Sequence, residues 1–404
     1  MEKKYLYPAD ILLPKDNYNK WAVIACDQFT SESDYWDEVE KIVGDAPSTL
    51  KVTLPEIYLN KGDVNKRIKS INDTMKDYLQ SDVFNRYEDA MIYVERLQSD
   101  GKTRHGIVGA INLNDYDYHK GSHVLIRATE QTVLERIPPR VEIRKGAVLE
   151  IPHVLLLIDD PMRTVVETIA TKKNEMEKLY DFELMLGGGH VAGYLLTKEH
   201  QQQVQQALAG LVKQDDAFLF AVGDGNHSLA TAKECYNLKL STGITMTSKA
   251  LVEVMNIHDD ALEFEPIYRV VFGVDRNELI CKFIEFAGGE YFSKDAQVFD
   301  VMTDGERSRV VSVKPLSNLP VGTLQLFLDS WCKEHPETVV DYVHGTDSVT
   351  QLSKTENTVG FIYNGMTKSQ LFPAVRADGA LPRKTFSMGH AKDKRYYIEA
   401  RKIK

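Results

Sequence analysis

Short apolar runs alternate with amphipathic stretches along almost the whole chain. Trp21–Cys26 (WAVIAC) predicts a buried strand, and Ser31–Val43 a helix with Ser31 and Asp34 spaced as a capping pair. In Val64–Leu79, residues Ile68, Ile71, Met75 and Leu79 recur at helical spacing. AMIYVERLQ and GIVGAINL flank Ser99-Asp100-Gly101, which predicts a hairpin. HVLIRAT and HVLLLID read as further strands, the second closed by Asp160-Pro161, with a helix expected from about Met162 to Tyr180. GYLLT leads into a helix over Lys198–Val212 with Thr197 as its cap. AFLFAV, ALVEVMNIH and FEPIYRVVFG follow as strands around a helix over Ser228–Tyr236.

From about Val274 the alternation restarts. NELICKFIEFAG, TLQLFLDSWCKEH and KSQLFPAVRADG predict helices, and RSRVVSVKPL and TVGFIYNG predict strands. Strands interleaved with helices imply an α/β (mixed α+β) fold, and the hairpin implies mixed sheets with flanking helices. The break near Val271–Asp275 divides the chain into an N-terminal α/β domain, 1–272, and a C-terminal α/β domain, 273–404, whose last segment is a candidate to return to the site.

Charge narrows the function. The 404 residues carry a formal net charge of -10, with no basic footprint of the kind a nucleic-acid binder shows. No apolar run approaches the ~20 residues that cross a bilayer, and the first residues lack a signal-peptide pattern. The expectation is a cytoplasmic protein with a small-molecule ligand, without nucleic acid or membrane; the sequence sets no oligomeric state. Cys26, Cys235, Cys281 and Cys332 form no CxxC pair, so neither a zinc site nor a disulfide framework is expected. His119 and His123 are spaced i, i+4, but in a segment that reads as a loop.

The chemistry concentrates where AFLFAV ends, at Gly223-Asp224-Gly225-Asn226-His227-Ser228. Ligands of open α/β sheets sit beyond the carboxyl ends of strands. Glycines there let backbone amides approach a ligand, and the following helix start suits an anion such as phosphate. Asp224 is a candidate for holding Mg²⁺ or accepting a hydroxyl proton, and His227 for a phosphate contact or proton shuttle. Asn226 and Ser228 are hydrogen-bond donors beside them. The same residues also suit an ordinary turn and helix cap. ERIPPRVEIRK places Arg136, Arg140 and Arg144 within eleven residues, a local basic patch in an acidic chain.

This box, with the Leu229-Ala230-Thr231-Ala232 that follows, resembles that of the domain of unknown function 1015 family, whose box reads Ala-Asp-Gly-His-His-Arg. RHGIVGAINL, VLIRATEQT, PHVLLLIDDP, VMNIHDDALEFEPIYRVV and Leu381-Pro382-Arg383-Lys384-Thr385-Phe386 extend the resemblance over nearly the whole chain. Here Asn226 and Ser228 stand where the family has histidine and arginine. The box is also similar to that of free-serine kinases, which share a fold with ParB and sulfiredoxin. That likeness implies a ParB/sulfiredoxin-like element around the Gly223-Asp224-Gly225 turn. It also implies a Mg²⁺-dependent phosphotransferase making O-phosphoserine from L-serine, with ATP, ADP or pyrophosphate as donor. Asp224, His227 and Glu130 are then the catalytic candidates, with Asp224 the metal ligand. Gly223, Gly225, Asn226, Ser228, Arg127, Arg140, Arg144, Arg383, Lys384 and Thr385 are the phosphate- and substrate-binding candidates. A phosphoserine phosphatase and a non-catalytic nucleotide-binding sensor are the alternatives.

Overall fold

The computed structural model describes residues 3–59, 62–131, 137–213, 216–242 and 247–404. Arg136, one of the basic-patch candidates, lies outside them. The fold is mixed α/β. Among the described residues, nine strands build the first sheet: β1 (Ile92–Leu97), β2 (Thr103–Asn112), β3 (Tyr116–Asp117), β4 (Ile126–Ala128), β5 (Leu155–Ile158), β6 (Glu177–Glu183), β7 (His190–Leu195), β8 (Phe220–Asp224) and β9 (Lys249–Asn256). Their spatial order is β6-β7-β1-β2-β9-β5-β8-β4-β3. β1 and β2 form the expected antiparallel hairpin. β8 runs parallel to β4 but antiparallel to β5, so the sheet is mixed.

The second sheet holds β10 (Phe264–Phe272), β11 (Gln297–Thr303), β12 (Glu306–Val313), β13 (Val339–His344), β14 (Thr358–Tyr363) and β15 (Phe386–Met388). Its order is β12-β11-β14-β10-β13, with β15 on β10. FEPIYRVVFG, on the N-terminal side of the sequence break, thus belongs to the second sheet. The second apolar core also takes in Leu155, Leu157, Phe218, Ala221 and Met255 from the first half. The chain end comes back: Tyr396–Tyr397 pairs with Val23–Ile24, and Arg401–Lys402 with Leu149–Glu150.

Helices α1 (Ser33–Val43), α2 (Val64–Gln80), α3 (Ile137–Gly146), α4 (Lys198–Leu211), α5 (Asn226–Thr242), α6 (Arg276–Phe286), α7 (Pro320–Glu334) and α8 (Leu371–Asp378) follow the apolar periodicity. Thr197 caps α4 through the amide of His200. Two expectations fail. α1 starts from Glu32 without a side-chain cap, so Ser31 and Asp34 form no capping pair. The helix expected over Met162–Tyr180 shrinks to Val166–Ala170 and a short 3₁₀ turn. Glu177–Glu183 instead pairs with β7, burying Tyr180, whose hydroxyl donates to Glu399 at 2.5 Å. Sheet pairing overrides a helical pattern when it buries an aromatic side chain with its polar tip satisfied.

Candidate functional site

Because β4 and β8 are parallel neighbours, with Ala128 beside Val222, their carboxyl ends emerge at one edge of the sheet. Glu130 follows the first and Asp224 ends the second. The Thr129 hydroxyl ties the two ends by donating to the Val222 carbonyl at 2.7 Å. β5 runs the other way, with Leu155 opposite Asp224, so His153 precedes it at the same edge.

Gly225 turns the chain from β8 into α5. Its φ is +79°, and an added Cβ would lie 3.0 Å from the Val154 Cα. Its carbonyl accepts the first helical bond from Leu229 at 2.9 Å. Its amide donates to Asp224 Oδ1 at 2.8 Å. Gly223 serves packing instead: a Cβ there would come within 2.9 Å of Leu157 Cγ and Met388 Cε.

A cavity of about 460 Å³ opens at this edge. Asp224, Glu130, Gly225, Asn226, His227, Ser228, Arg140, Arg144 and Lys384 line it, so one pocket gathers nine of the candidates. The Asn226 Oδ1 is buried without a hydrogen-bond partner. Arg140 pairs with Glu56, and Arg144 with the buried Glu150, so both cations already face anions in the wall.

Four candidates lie off the cavity wall. Gly223 packs as described. Arg127 is buried, pairs with the Asp216 carboxylate and sits 4.4 Å over the Phe218 ring, so in this structure its charge faces a partner within the fold. Arg383 donates to the Tyr342 hydroxyl at 2.7 Å. Thr385 contributes its backbone: its amide and that of Lys384 each donate to Glu130 at 3.0 Å. Among the loop histidines, His119 pairs with Asp117 at 2.6 Å.

The sequence reading passes over His153, Asp27, Tyr397 and Lys394. His153, buried in the cavity wall, shares a 3.0 Å hydrogen bond with the Tyr397 hydroxyl and has Asp27 Oδ2 at 3.7 Å. Lys394 Nζ lies 3.3 Å from Asp224 Oδ2. Only the position of His153, at the start of a buried strand, is a sequence signal for any of them. Cys26 also lines the cavity, but burial and Asp27 push its thiol up to about 11, away from thiolate chemistry.

The two carboxyl groups are tuned in opposite directions. Burial pushes Asp224 up, but Lys394, His153 and the Gly225 amide outweigh it and hold the group below its ordinary value. Burial also pushes Glu130 up. The two amides and Arg269 oppose it, the Asp224 charge reinforces it, and the group stays above its ordinary value. Among the described residues, no three His, Cys, Asp or Glu side chains are grouped to hold a metal. No described helix is long and apolar enough to cross a membrane.

Fold and site define a mixed α/β protein with a polar pocket at the ends of two parallel strands. The family described as a protein of unknown function (DUF1015) matches residues 6–339, and the chain belongs to it. No curated protein matches the sequence. Among solved structures, a free serine kinase in complex with AMP aligns at 12% identity and a TM-score of 0.40, covering 72% of this chain and 90% of that one. A conserved hypothetical protein from Pyrococcus furiosus aligns at 12% identity and a TM-score of 0.38, covering 72% and 94%. SbnI from Staphylococcus aureus, with a C-terminal truncation, aligns at 10% identity and 0.37, covering 70% and 82%.

Proposed function

We propose that this protein is a Mg²⁺-dependent phosphotransferase. It moves a phosphoryl group from ATP, ADP or pyrophosphate to the hydroxyl of a small hydroxy amino acid, and the resemblance of its box makes L-serine the acceptor to test first. The observation that carries the reading is the pair Asp224 and Glu130: two carboxyl groups in one cavity, beside a helix start, with pKa values displaced in opposite directions. Groups pushed apart in this way take different tasks.

Glu130, with its raised pKa, is the proton acceptor. As it takes the hydroxyl proton, the acceptor oxygen forms a bond to the terminal phosphorus. The bond from that phosphorus to the donor's bridging oxygen breaks, and the electron pair leaves with the shortened donor. Asp224 stays ionised and holds a positive partner. The first-turn amides of α5, with His227 and Ser228, face the phosphates. Lys384, also in the cavity lining, is the further cation of the site.

Magnesium fits this donor set, because the ion is usually held by one or two carboxylates, with phosphate oxygens and water supplying the rest. Asp224 would hold it, and the bound ion would neutralise charge on the donor phosphates.

Phosphorus NMR of the protein with Mg²⁺, L-serine and each donor in turn tests the reading. A donor-dependent phosphoserine signal is expected. Asp224→Asn and His227→Ala should each lower turnover at least ~100-fold. Near-wild-type turnover in both folded variants overturns the assignment. Free phosphate from phosphoserine alone establishes the phosphatase instead.

A further inference from the structure

Arg96 in β1 and Arg104 in β2 stand directly opposite each other across the hairpin, and both are buried. Like charges at facing positions of a sheet repel, and a buried guanidinium needs acceptors. Both find them in one short segment from the far end of the chain. Arg96 donates to the carbonyls of Lys392 and Lys394, each at 3.1 Å, and Arg104 to that of Asp393 at 3.1 Å. Three successive carbonyls are thus held by two guanidinium groups. Arg96 Nε also donates to the Gly188 carbonyl at 3.1 Å.

The side chains on either side of Lys394 are fixed as well. The Asp393 carboxylate accepts from the Ser99 amide and hydroxyl, both at 2.8 Å. Arg395 is buried against Glu253 and Glu399, each at 2.6 Å. Lys394 is the member of the run whose side chain reaches Asp224, without itself lining the cavity. A lysine normally loses considerable rotamer freedom when held in one place. Anchoring the backbone at three consecutive carbonyls fixes the point from which that side chain starts, so that fewer of its rotamers need be ordered to hold the ammonium at Asp224.

We infer that Arg96 and Arg104 are positioning residues for the site, and that the Lys394 ammonium they place is the fixed counter-charge that orients Asp224 toward its ligand; the functional half of this rests on the phosphotransferase reading. Two measurements separate the halves. The first is pulsed acetylation of lysines in the full-length protein, read by mass spectrometry. Lys394 should react more slowly than the exposed Lys392 in the wild type. Arg96→Met should speed Lys394 about tenfold, the change expected when a charge-assisted hydrogen bond is lost from a local opening equilibrium. If Arg96→Met does not fold, Arg96→Lys, which keeps the charge but loses the fork, replaces it. An unchanged Lys394 rate in the folded variant overturns the clamp.

The second measurement is turnover. Lys394→Met should lower kcat with little change in the KM for serine, and Lys394→Arg should recover part of the loss. Full activity in a folded Lys394→Met protein overturns the counter-charge role. An inactive wild type overturns the phosphotransferase reading and the counter-charge role with it, and the acetylation result still decides the clamp.

Discussion

The amide of Thr385 donates to Glu130 at 3.0 Å across 255 positions of sequence. The link depends on a further buried arginine. Arg269 in β10 donates to the carbonyls of Lys384 and Arg383, each at 3.1 Å, behind the two amides that face Glu130. The second sheet therefore sets the geometry of a carboxyl group that the first sheet supplies.

Glu130 should write the acid limb of the pH–rate profile. A proton acceptor must be ionised, and this group's pKa is raised, chiefly by burial. Activity should therefore fall as pH drops through a value above the ~4.3 of an ordinary glutamate. Glu130→Gln should lower kcat/KM at least ~100-fold and abolish that limb. A variant that keeps the limb would transfer the role to another group.

Arg127→Met should weaken the fold and leave ligand affinity unchanged. The Arg127 guanidinium shares Asp216 with Arg376, whose Nε donates at 2.6 Å. Removing a buried partner exposes the cost of the charge left behind; with Arg376 still present, about 1–3 kcal/mol is expected. Urea unfolding and pyrophosphate titration calorimetry read the two quantities separately. Loss of affinity without loss of stability would return Arg127 to the site.

A second acid–base pair should shape stability rather than activity. His105 Nδ1 lies 3.0 Å from the buried Asp259 Oδ2, and that carboxylate also accepts from the Ala261 amide at 2.8 Å. The hydrogen bond to Asp259 raises the His105 pKa. Burial pushes Asp259 up, but the His105 and Ala261 contacts prevail and lower it. The histidine's contribution is fully present below its unfolded pKa and is lost as pH rises through the raised folded value. The aspartate's contribution is present above its unfolded pKa and is lost as pH falls through the lowered one. The pair therefore stabilises most between about pH 4 and 6.5. His105→Gln should cost about 1 kcal/mol at pH 5.5 and less at pH 8.5, measured by urea unfolding. Equal losses at both values would show that the pair is not ionic.

The first half of the fold was legible where hydrophobic period and turn chemistry agree, as in the β1–β2 hairpin and in α4 with its Thr197 cap. It was not legible at Glu177–Glu183, where pairing with β7 and the Tyr180–Glu399 contact decide the conformation. The box was legible because Asp224, Gly225 and the α5 start are consecutive in sequence. Lys394 was not, because nothing in KDKRYY marks which of its cations reaches Asp224; the buried arginines of a distant hairpin decide that. Arg127 shows a related ambiguity: a basic residue beside a strand end looks the same in sequence whether it faces a ligand or, as its contact here, a half-buried aspartate.

The two glycines of the box should respond differently to the same added methyl group. Gly223 does not have a positive φ, so Gly223→Ala meets only side chains, at Leu157 and Met388, and the thioether can give way. Gly225→Ala meets the Val154 backbone at 3.0 Å and forces an L-residue to hold a φ of +79°. The strain is of order 1–3 kcal/mol and falls on the turn that aims the first amides of α5. Both variants should melt earlier than the wild type. Only Gly225→Ala should also bind pyrophosphate about tenfold more weakly, near the upper end of what a partly buried helix start contributes to an anion. Thermal melts and titration calorimetry on the same preparations separate stability from affinity. Wild-type affinity in Gly225→Ala would move the phosphates away from the start of α5, toward Lys384 and the Arg140–Arg144 wall.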